Sequence, residues 1–156
     1  MLEERTPPFS ELESKNILGI DYGEKVTGLA TFCPGRDPFA LLQGRIVMNQ
    51  TKDWLQDILN IVQEESIDLI VIGLPLYTDG KESRMTNRVR KQTAKLAELL
   101  ESIPVYFQDE TLSSVEAKER MSSDPKFNFT IDMKKIDAVA ASIIIELFIS
   151  EAKNQA

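Results

Sequence analysis

The sequence predicts an α/β fold built on a mixed five-stranded sheet, in which the first three strands are antiparallel and helices cover both faces. Two observations lead to this prediction. Segments typical of strands and helices follow one another in the order βββαβαβαα, which joins an antiparallel start to parallel crossovers. The length of 156 residues, 42% of them hydrophobic, is enough for one core and falls short of two full-sized domains.

The first half of the chain carries the antiparallel part of the predicted sheet. Ile17–Asp21 is an apolar run typical of a buried strand, and Gly23-Glu24 favours a turn into a second strand, Val26–Phe32. Residues 39–48 form a third predicted strand. Helical spacing then appears in the apolar residues Trp54, Ile58, Ile61 and Val62.

The second half of the chain alternates strands and helices, which predicts parallel crossovers. Residues 67–72 are an apolar run typical of a strand covered on both faces, and residues 105–107 form a short strand. Helices are predicted at residues 82–100, 114–121 and 134–152, with a loop at residues 122–133. Gly73-Leu74-Pro75-Leu76 is predicted to be a loop at the carboxyl edge of the sheet, where it either grips a substrate or is simply a turn.

We expect an N-terminal arm over residues 1–16, one domain over residues 17–152 and a short tail over residues 153–156. Pro7-Pro8 and scattered glutamates favour an extended arm, and a tolerated tail is the alternative interpretation. These residues lack the apolar stretch of an export signal, and no apolar run approaches the roughly 20 residues of a spanning helix. We therefore expect a cytoplasmic protein with no membrane contact.

The composition narrows the available chemistry. The chain has no histidine, which excludes imidazole as a base, nucleophile or metal ligand. A single cysteine excludes a disulfide framework and a cysteine-based zinc site. Carboxylates remain as the main catalytic groups.

Two carboxylates follow predicted strands. Asp21 ends an apolar strand and precedes Gly23, at the strand end where ligands bind in open α/β sheets. A turn-initiating aspartate is the alternative interpretation. Glu110 follows the strand at residues 105–107, and the alternatives there are a solvated residue or a first-turn acid favoured by the next helix.

Asp137 is the most informative acid, because it lies on an apolar helix stripe with Ala140, Ala141, Ile144 and Phe148. An N-cap is the alternative role, for which Asp132 competes. A buried carboxylate must be protonated, paired or bound to a metal. Three carboxylates converging from separate elements would suit Mg²⁺ or Mn²⁺, and two such ions could support phosphodiester cleavage.

The charge is unevenly distributed. The formal net charge of −7 argues against a partner held by its phosphates. Residues 80–95, however, carry six basic residues against one acid, and four of the six share one side of the predicted helix. We call these four, Arg84, Arg88, Lys91 and Lys95, the basic ridge. It is either a phosphate track or an ordinary solvated helix face.

Five segments in order resemble the YqgF/RuvX family of ribonuclease H-like proteins, known as pre-16S rRNA nucleases and Holliday junction resolvases. These segments are ILGIDYGEKVTGLA (17–30), IVIGLPLYTDGKES (70–83), RVRKQTAKLAELL (88–100), VYFQDETLSSVEAKERM (105–121) and KKIDAVAASIIIE (134–146). Thr111 stands where the family usually has arginine. The loss of that rigid, bidentate phosphate contact puts substrate affinity or rate in doubt.

The resemblance implies a ribonuclease H-like sheet whose acidic triad is Asp21, Glu110 and Asp137. It implies a metal-dependent endonuclease that acts on structured RNA at the 5′ end of pre-16S rRNA, with a pre-ribosomal particle as one possible form of the substrate. The basic ridge, with Lys25 and Arg90, would hold phosphates. The chain would be a monomer or a homodimer.

Three other functions stay open at this point. Resolution of branched DNA would use the same chemistry in a symmetric dimer. A non-catalytic ribosome-assembly or nucleic-acid-binding factor is favoured by the missing arginine at position 111. A nucleotide-binding half-domain is the third, because the segment from Asp21 to Gly28 weakly resembles the phosphate-binding hairpin of actin-like ATPases. Those proteins, however, need two such domains.

Overall fold

The fold is a six-stranded mixed sheet with helices on both faces, seen in a computed structural model that describes residues 2–3, 5–77, 79–110, 113–127 and 131–155. The strands are β1 (Leu2–Glu3), β2 (Ile17–Asp21), β3 (Val26–Phe32), β4 (Leu41–Val47), β5 (Leu69–Leu74) and β6 (Val105–Asp109). The helices are α1 (Trp54–Glu64), α2 (Arg84–Leu99), α3 (Ser113–Ser123) and α4 (Ile136–Lys153), with 3-10 turns at Phe9–Glu11 and Pro125–Phe127.

The sheet order is β1-β6-β5-β2-β3-β4. Strands β2, β3 and β4 are antiparallel neighbours, whereas β5 runs parallel to both β2 and β6. The predicted mixed sheet with an antiparallel start is therefore confirmed.

The predicted count of five strands was wrong by one. The additional strand is β1, which pairs in parallel with Val105 and Tyr106 of β6. Two residues are too few to show a period of two in the sequence, so this strand is defined only by the partner it finds in the folded sheet.

Gly73 and Leu74 were predicted to begin a loop, and they instead end β5. They pair with Gln108 and Asp109 of β6. Glycine is disfavoured in strands, but here the missing side chain leaves space that a carboxyl group from the next segment occupies. The loop begins one residue later than Leu74, at Pro75.

The first 16 residues contact the domain at several places besides the pairing of β1 with β6. Leu12 is buried in the cluster that contains Phe148 of α4, and the Thr6 hydroxyl donates to the Glu151 carboxylate at 3.2 Å. The division of the chain at residue 16 stays a prediction. Within the described part of the chain, no helix combines the length and the apolar character that crossing a membrane requires.

The two faces of the sheet have separate cores. On one face, Ile58 of α1 and Val89 of α2 pack with Ile20 and Ile72. On the other face, α4 packs directly on the sheet through the buried side chains Ala141, Ile144 and Phe148. Helix α3 lies outside α4 and contacts it through Ala117 and Met121. The carboxyl ends of β2, β5 and β6 consequently meet at one edge between the two helical layers.

A buried hydrogen bond fixes α1 to the sheet. The indole Nε1 of Trp54 donates to the Thr27 hydroxyl at 3.0 Å, and both residues are buried. The Trp54 ring also meets Tyr22 edge-on, with ring centroids 5.2 Å apart. These contacts hold the first residue of α1 against the β2–β3 hairpin.

Replacement of Thr27 by valine should destabilise the fold by about 1–3 kcal/mol, because the indole N–H would be left buried without an acceptor. Urea unfolding of Thr27→Val against the wild type measures the change. Thr31→Val is the matched control on the same strand, since its partner, the half-buried Gln43 amide, retains access to water. Equal losses in the two variants would contradict the role of the buried bond.

Candidate active site

Asp21 is the last residue of β2, at the carboxyl edge of the sheet. Its cross-strand partner on β3 is Gly28, which leaves the carboxylate without a neighbouring side chain on that strand. The residue as a whole is half-buried at the end of the strand.

Glu110 directly follows β6 and is only 8% exposed. Its backbone N–H donates to the Leu74 carbonyl at 3.2 Å, which extends the pairing of β5 and β6 by one step. A Cβ atom added at Gly73 would lie 2.8 Å from the Glu110 carboxyl carbon. The glycine therefore makes the room that lets Glu110 turn inward over the sheet edge.

Asp137 lies in the first turn of α4, where the helix touches the sheet most closely. A Cβ atom added at Gly28 would lie 1.9 Å from the Asp137 carbonyl oxygen. Because Gly28 is paired with Asp21, this contact sets the start of α4 beside the end of β2.

The N-cap alternative for Asp137 was wrong. The N-cap is Lys135, and Asp137 is already inside the helix. The Asp132 side chain accepts from the Lys134 backbone N–H at 2.9 Å and makes the turn that leads into α4. The Asp137 carboxylate is therefore available for another role.

The electrostatics link the three acids. Burial raises the pKa of Asp21 above its ordinary value, and the nearby Asp137 charge raises it further, while a hydrogen bond from the Glu110 carboxyl group lowers it. Burial also raises the pKa of Asp137, against the opposing effect of Arg45. A hydrogen bond between two carboxyl groups requires a proton on one of them, and burial and the neighbouring negative charge both favour the protonated form of Asp21.

The donor set suits a hard divalent cation. All three groups are carboxylates, and a bound cation would neutralise the negative charge that Asp137 places beside the buried Asp21. In the described part of the chain, no three acidic, cysteine or histidine side chains are already gathered closely enough to hold one ion. The structure brings Asp21 and Glu110 into contact and leaves Asp137 beside them.

The four residues of the basic ridge are all exposed along α2. Arg88 forms a salt bridge of 2.6 Å with Glu24 in the β2–β3 turn, the turn that directly follows Asp21. The other three make no ion pair with any described residue. The salt bridge therefore joins the ridge to the hairpin that carries the first carboxylate.

Arg90 and Lys25 lie apart from the ridge. Arg90 pairs with Glu82 at 2.6 Å and lies over the Phe107 ring, 5.3 Å from its centroid. A step of two residues along a helix rotates the side-chain direction by about 200°, so Arg90 cannot face the same side as Arg88. Lys25 is exposed in the β2–β3 turn next to Glu24.

The loop between β5 and α2 is a small hairpin. Leu76 and Glu82 form a β-bridge, and the Tyr77 N–H donates to the Lys81 carbonyl at 2.9 Å. The Thr86 hydroxyl, part of the capping box that starts α2, donates to the Pro75 carbonyl. The hairpin is thereby fixed to the start of α2. Thr111, which departs from the family pattern, lies outside the described residues.

Sequence reasoning missed Arg45, which acts on the pKa of Asp137. It lies on β4 opposite Gly28, and only the register of β4 on β3 brings it to this row. A single basic residue in a predicted strand carries no signal of that register, so nothing in the local sequence marks Arg45.

Asp21→Asn should stabilise the metal-free protein by about 1 kcal/mol near neutral pH, because it removes a carboxylate whose charge is disfavoured by burial and by Asp137. The folded protein holds the pKa of Asp21 above 3.8, so it binds more protons than the unfolded chain just above that value. The stability of the wild type therefore falls as the pH rises through this window, and the advantage of the variant should vanish as the pH falls toward 3.8.

Urea unfolding in EDTA at a series of pH values measures this difference. Asp79→Asn is the control, since the Asp79 side chain is 57% exposed and its loss should change little at any pH. A variant at Asp21 that is less stable than the wild type at neutral pH would contradict the electrostatic picture.

Residues 15–151 match the model of the RuvX family, described as "Holliday junction resolvase". A protein of Oleidesulfovibrio alaskensis named "Putative pre-16S rRNA nuclease" is 36% identical over 133 residues, which cover 85% of this chain and 90% of that protein. A protein of Maridesulfovibrio salexigens with the same name is 32% identical over 137 residues, covering 87% and 98%.

Solved structures with a similar fold are resolvases. RuvC of T. thermophilus in complex with a Holliday junction has a TM-score of 0.59 at 12% identity, covering 91% of this chain and 98% of that one. The fowlpox virus resolvase in complex with Holliday junction DNA has a TM-score of 0.55 at 15% identity, covering 89% and 97%. The resemblance found in the sequence is confirmed: the chain belongs to the RuvX family of nucleases and has the ribonuclease H-like fold.

Proposed function

We propose that this protein is a metal-dependent endonuclease that hydrolyses phosphodiester bonds in structured RNA, at the 5′ end of pre-16S rRNA in the cytoplasm. The observation that carries the proposal is the contact between Asp21 and Glu110 at the carboxyl edge of the sheet, with the charge of Asp137 beside them. The names of the relatives from Oleidesulfovibrio alaskensis and Maridesulfovibrio salexigens favour RNA as the substrate.

Each carboxylate has a proposed role. Asp21 and Glu110 would hold a divalent cation, since their carboxyl groups are within hydrogen-bonding reach of each other and a metal ligand must be deprotonated. Asp137 would complete the site from α4 and hold a second ion. Mg²⁺ or Mn²⁺ would supply an activated water and stabilise the leaving oxygen when bound.

The protein's own residues would position the substrate. The basic ridge offers three cations without an ion-pair partner among the described residues, together with Arg88 beside the β2–β3 turn. Lys25 adds a charge in the same turn, and Arg90 would contribute only after leaving Glu82. The net charge of −7 is thus compatible with a nucleic-acid partner, because the cations are clustered where the substrate would pass.

Asp21→Asn should lower the rate of RNA cleavage by at least about 100-fold in Mg²⁺ or Mn²⁺, since it removes a charged ligand from the site. Gel analysis of a labelled pre-16S rRNA fragment, or of a reconstituted pre-ribosomal particle carrying it, measures the rate. Asp79→Asn is the matched control and should cleave like the wild type, because Asp79 is at the surface and its ion-pair partner among the described residues is Lys81.

An unchanged rate in Asp21→Asn would refute metal-dependent hydrolysis at this site. A wild-type protein that binds the RNA but never cleaves it would instead favour the non-catalytic assembly factor, the interpretation that Thr111 in place of arginine supports.

Resolution of branched DNA is the second candidate, because the family model is described as a resolvase and the similar structures hold Holliday junctions. Symmetric cleavage of a junction requires two sites and hence a homodimer, whereas a monomer is sufficient for RNA processing.

We expect pre-16S rRNA to be cleaved faster than a four-way DNA junction when the two substrates are compared at equal concentration. Light scattering on the same preparation gives the oligomeric state. Cleavage of the junction alone, by a dimer, would replace the RNA proposal with the resolvase.

A further inference from the structure

Arg45 occupies the third place in a row of residues that crosses the sheet at the site. Asp21 on β2 is paired with Gly28 on β3, and Gly28 is paired with Arg45 on β4. Paired residues on neighbouring strands project their side chains to the same face of a sheet. Arg45 therefore shares a face and a level with the first carboxylate.

The middle position of the row identifies that face. A Cβ atom at Gly28 would meet the Asp137 carbonyl oxygen, so the side chains of this row project toward α4. Arg45 accordingly lies next to the first turn of α4. The same proximity is seen in its effect on Asp137, whose pKa it lowers.

Arg45 is free to bind a ligand. Its side chain is exposed on β4, which is one of the two edge strands of the sheet. It forms no hydrogen bond or salt bridge with the described residues. Lys134 and Lys135, directly before α4, are also exposed and likewise lack an acidic partner in the described part. Three cations therefore surround the start of α4, close to Asp137.

These cations lie on the opposite face of the sheet from the basic ridge. Helix α2, which carries the ridge, packs through Val89 and Leu96 in the core that also contains α1. The carboxylates Asp21 and Glu110 lie at the edge between the two faces. A polyanion that contacts both groups of cations must cross this edge and pass the carboxylates.

We propose that Arg45, with Lys134 and Lys135, forms a second phosphate-binding surface that holds the nucleic-acid backbone on the α4 side of the site. This surface rests on the proposed function and extends it, because it defines the path of the substrate across the sheet edge. Arg45 is suited to the central position, since its planar guanidinium can donate two parallel hydrogen bonds to one phosphate.

The test is RNA binding in EDTA, which separates binding from cleavage. Fluorescence anisotropy with a labelled RNA hairpin carrying a single-stranded flank gives Kd at several salt concentrations. Arg45→Ala should bind about fivefold more weakly near 0.1 M salt, and its dependence of log Kd on log salt should be shallower by about 1. Arg45→Lys should retain the salt dependence, because the charge is kept.

Three further proteins complete the comparison. Replacement of both Lys134 and Lys135 by alanine should also weaken RNA binding. When Lys91→Ala on the ridge is combined with Arg45→Ala, the two losses of binding free energy should add. Arg36→Ala is the matched control, because Arg36 lies at the other end of the β3–β4 hairpin, is 62% exposed and pairs with Asp37. It should bind like the wild type.

Wild-type affinity and salt dependence in Arg45→Ala, with its thermal melt unchanged, would overturn the second surface even if the wild type cleaves RNA in Mg²⁺. Loss of binding in Arg45→Ala from a wild type that binds without cleaving would support the surface and refute the nuclease. A wild type that binds no nucleic acid would overturn both proposals. If alanine disturbs β4, Arg45→Gln tests the same loss of charge with a longer side chain.

Discussion

The close approach of α4 to the sheet over Gly28 is the constraint on which the site depends. The Asp137 carbonyl occupies the space where a side chain would stand, and a second contact of the same kind lies between Gly19 and the Ala141 carbonyl, 2.9 Å from the Cβ position. A larger residue at Gly28 would move the start of α4 away from β2 and separate Asp137 from Asp21. The arrangement of the acids therefore depends on glycine at these positions of the sheet.

The features of the fold that could be predicted from the sequence are the local ones. The bounds of β2 and β3 matched the prediction to the residue, because β2 is an apolar run and the turn at Gly23-Glu24 separates it from β3. The apolar face of α4 was visible as a stripe that includes Asp137. These features are local, and each is recorded within a few consecutive residues.

The features that escaped prediction are non-local. Arg45 reaches the site only through the pairing of three strands, and Gly73 continues β5 by pairing with Gln108 of β6 while the Glu110 carboxyl group fills the space above it. Register and close packing depend on residues far apart in the chain, and a single sequence carries no local record of them. The three acids could be singled out by position, whereas the contact between two of them could not.

The pairing of β1 with β6 has a consequence for the order of assembly. It joins residues about 100 positions apart, so the first strand of the chain has no partner until most of the chain has been made. Leu12 likewise finds its place only against α4, at the other end of the sequence. During synthesis the hairpin of β2 and β3 can form early, since its residues are adjacent. The β1 segment is then among the last to be incorporated into the sheet, although it is made before its partner.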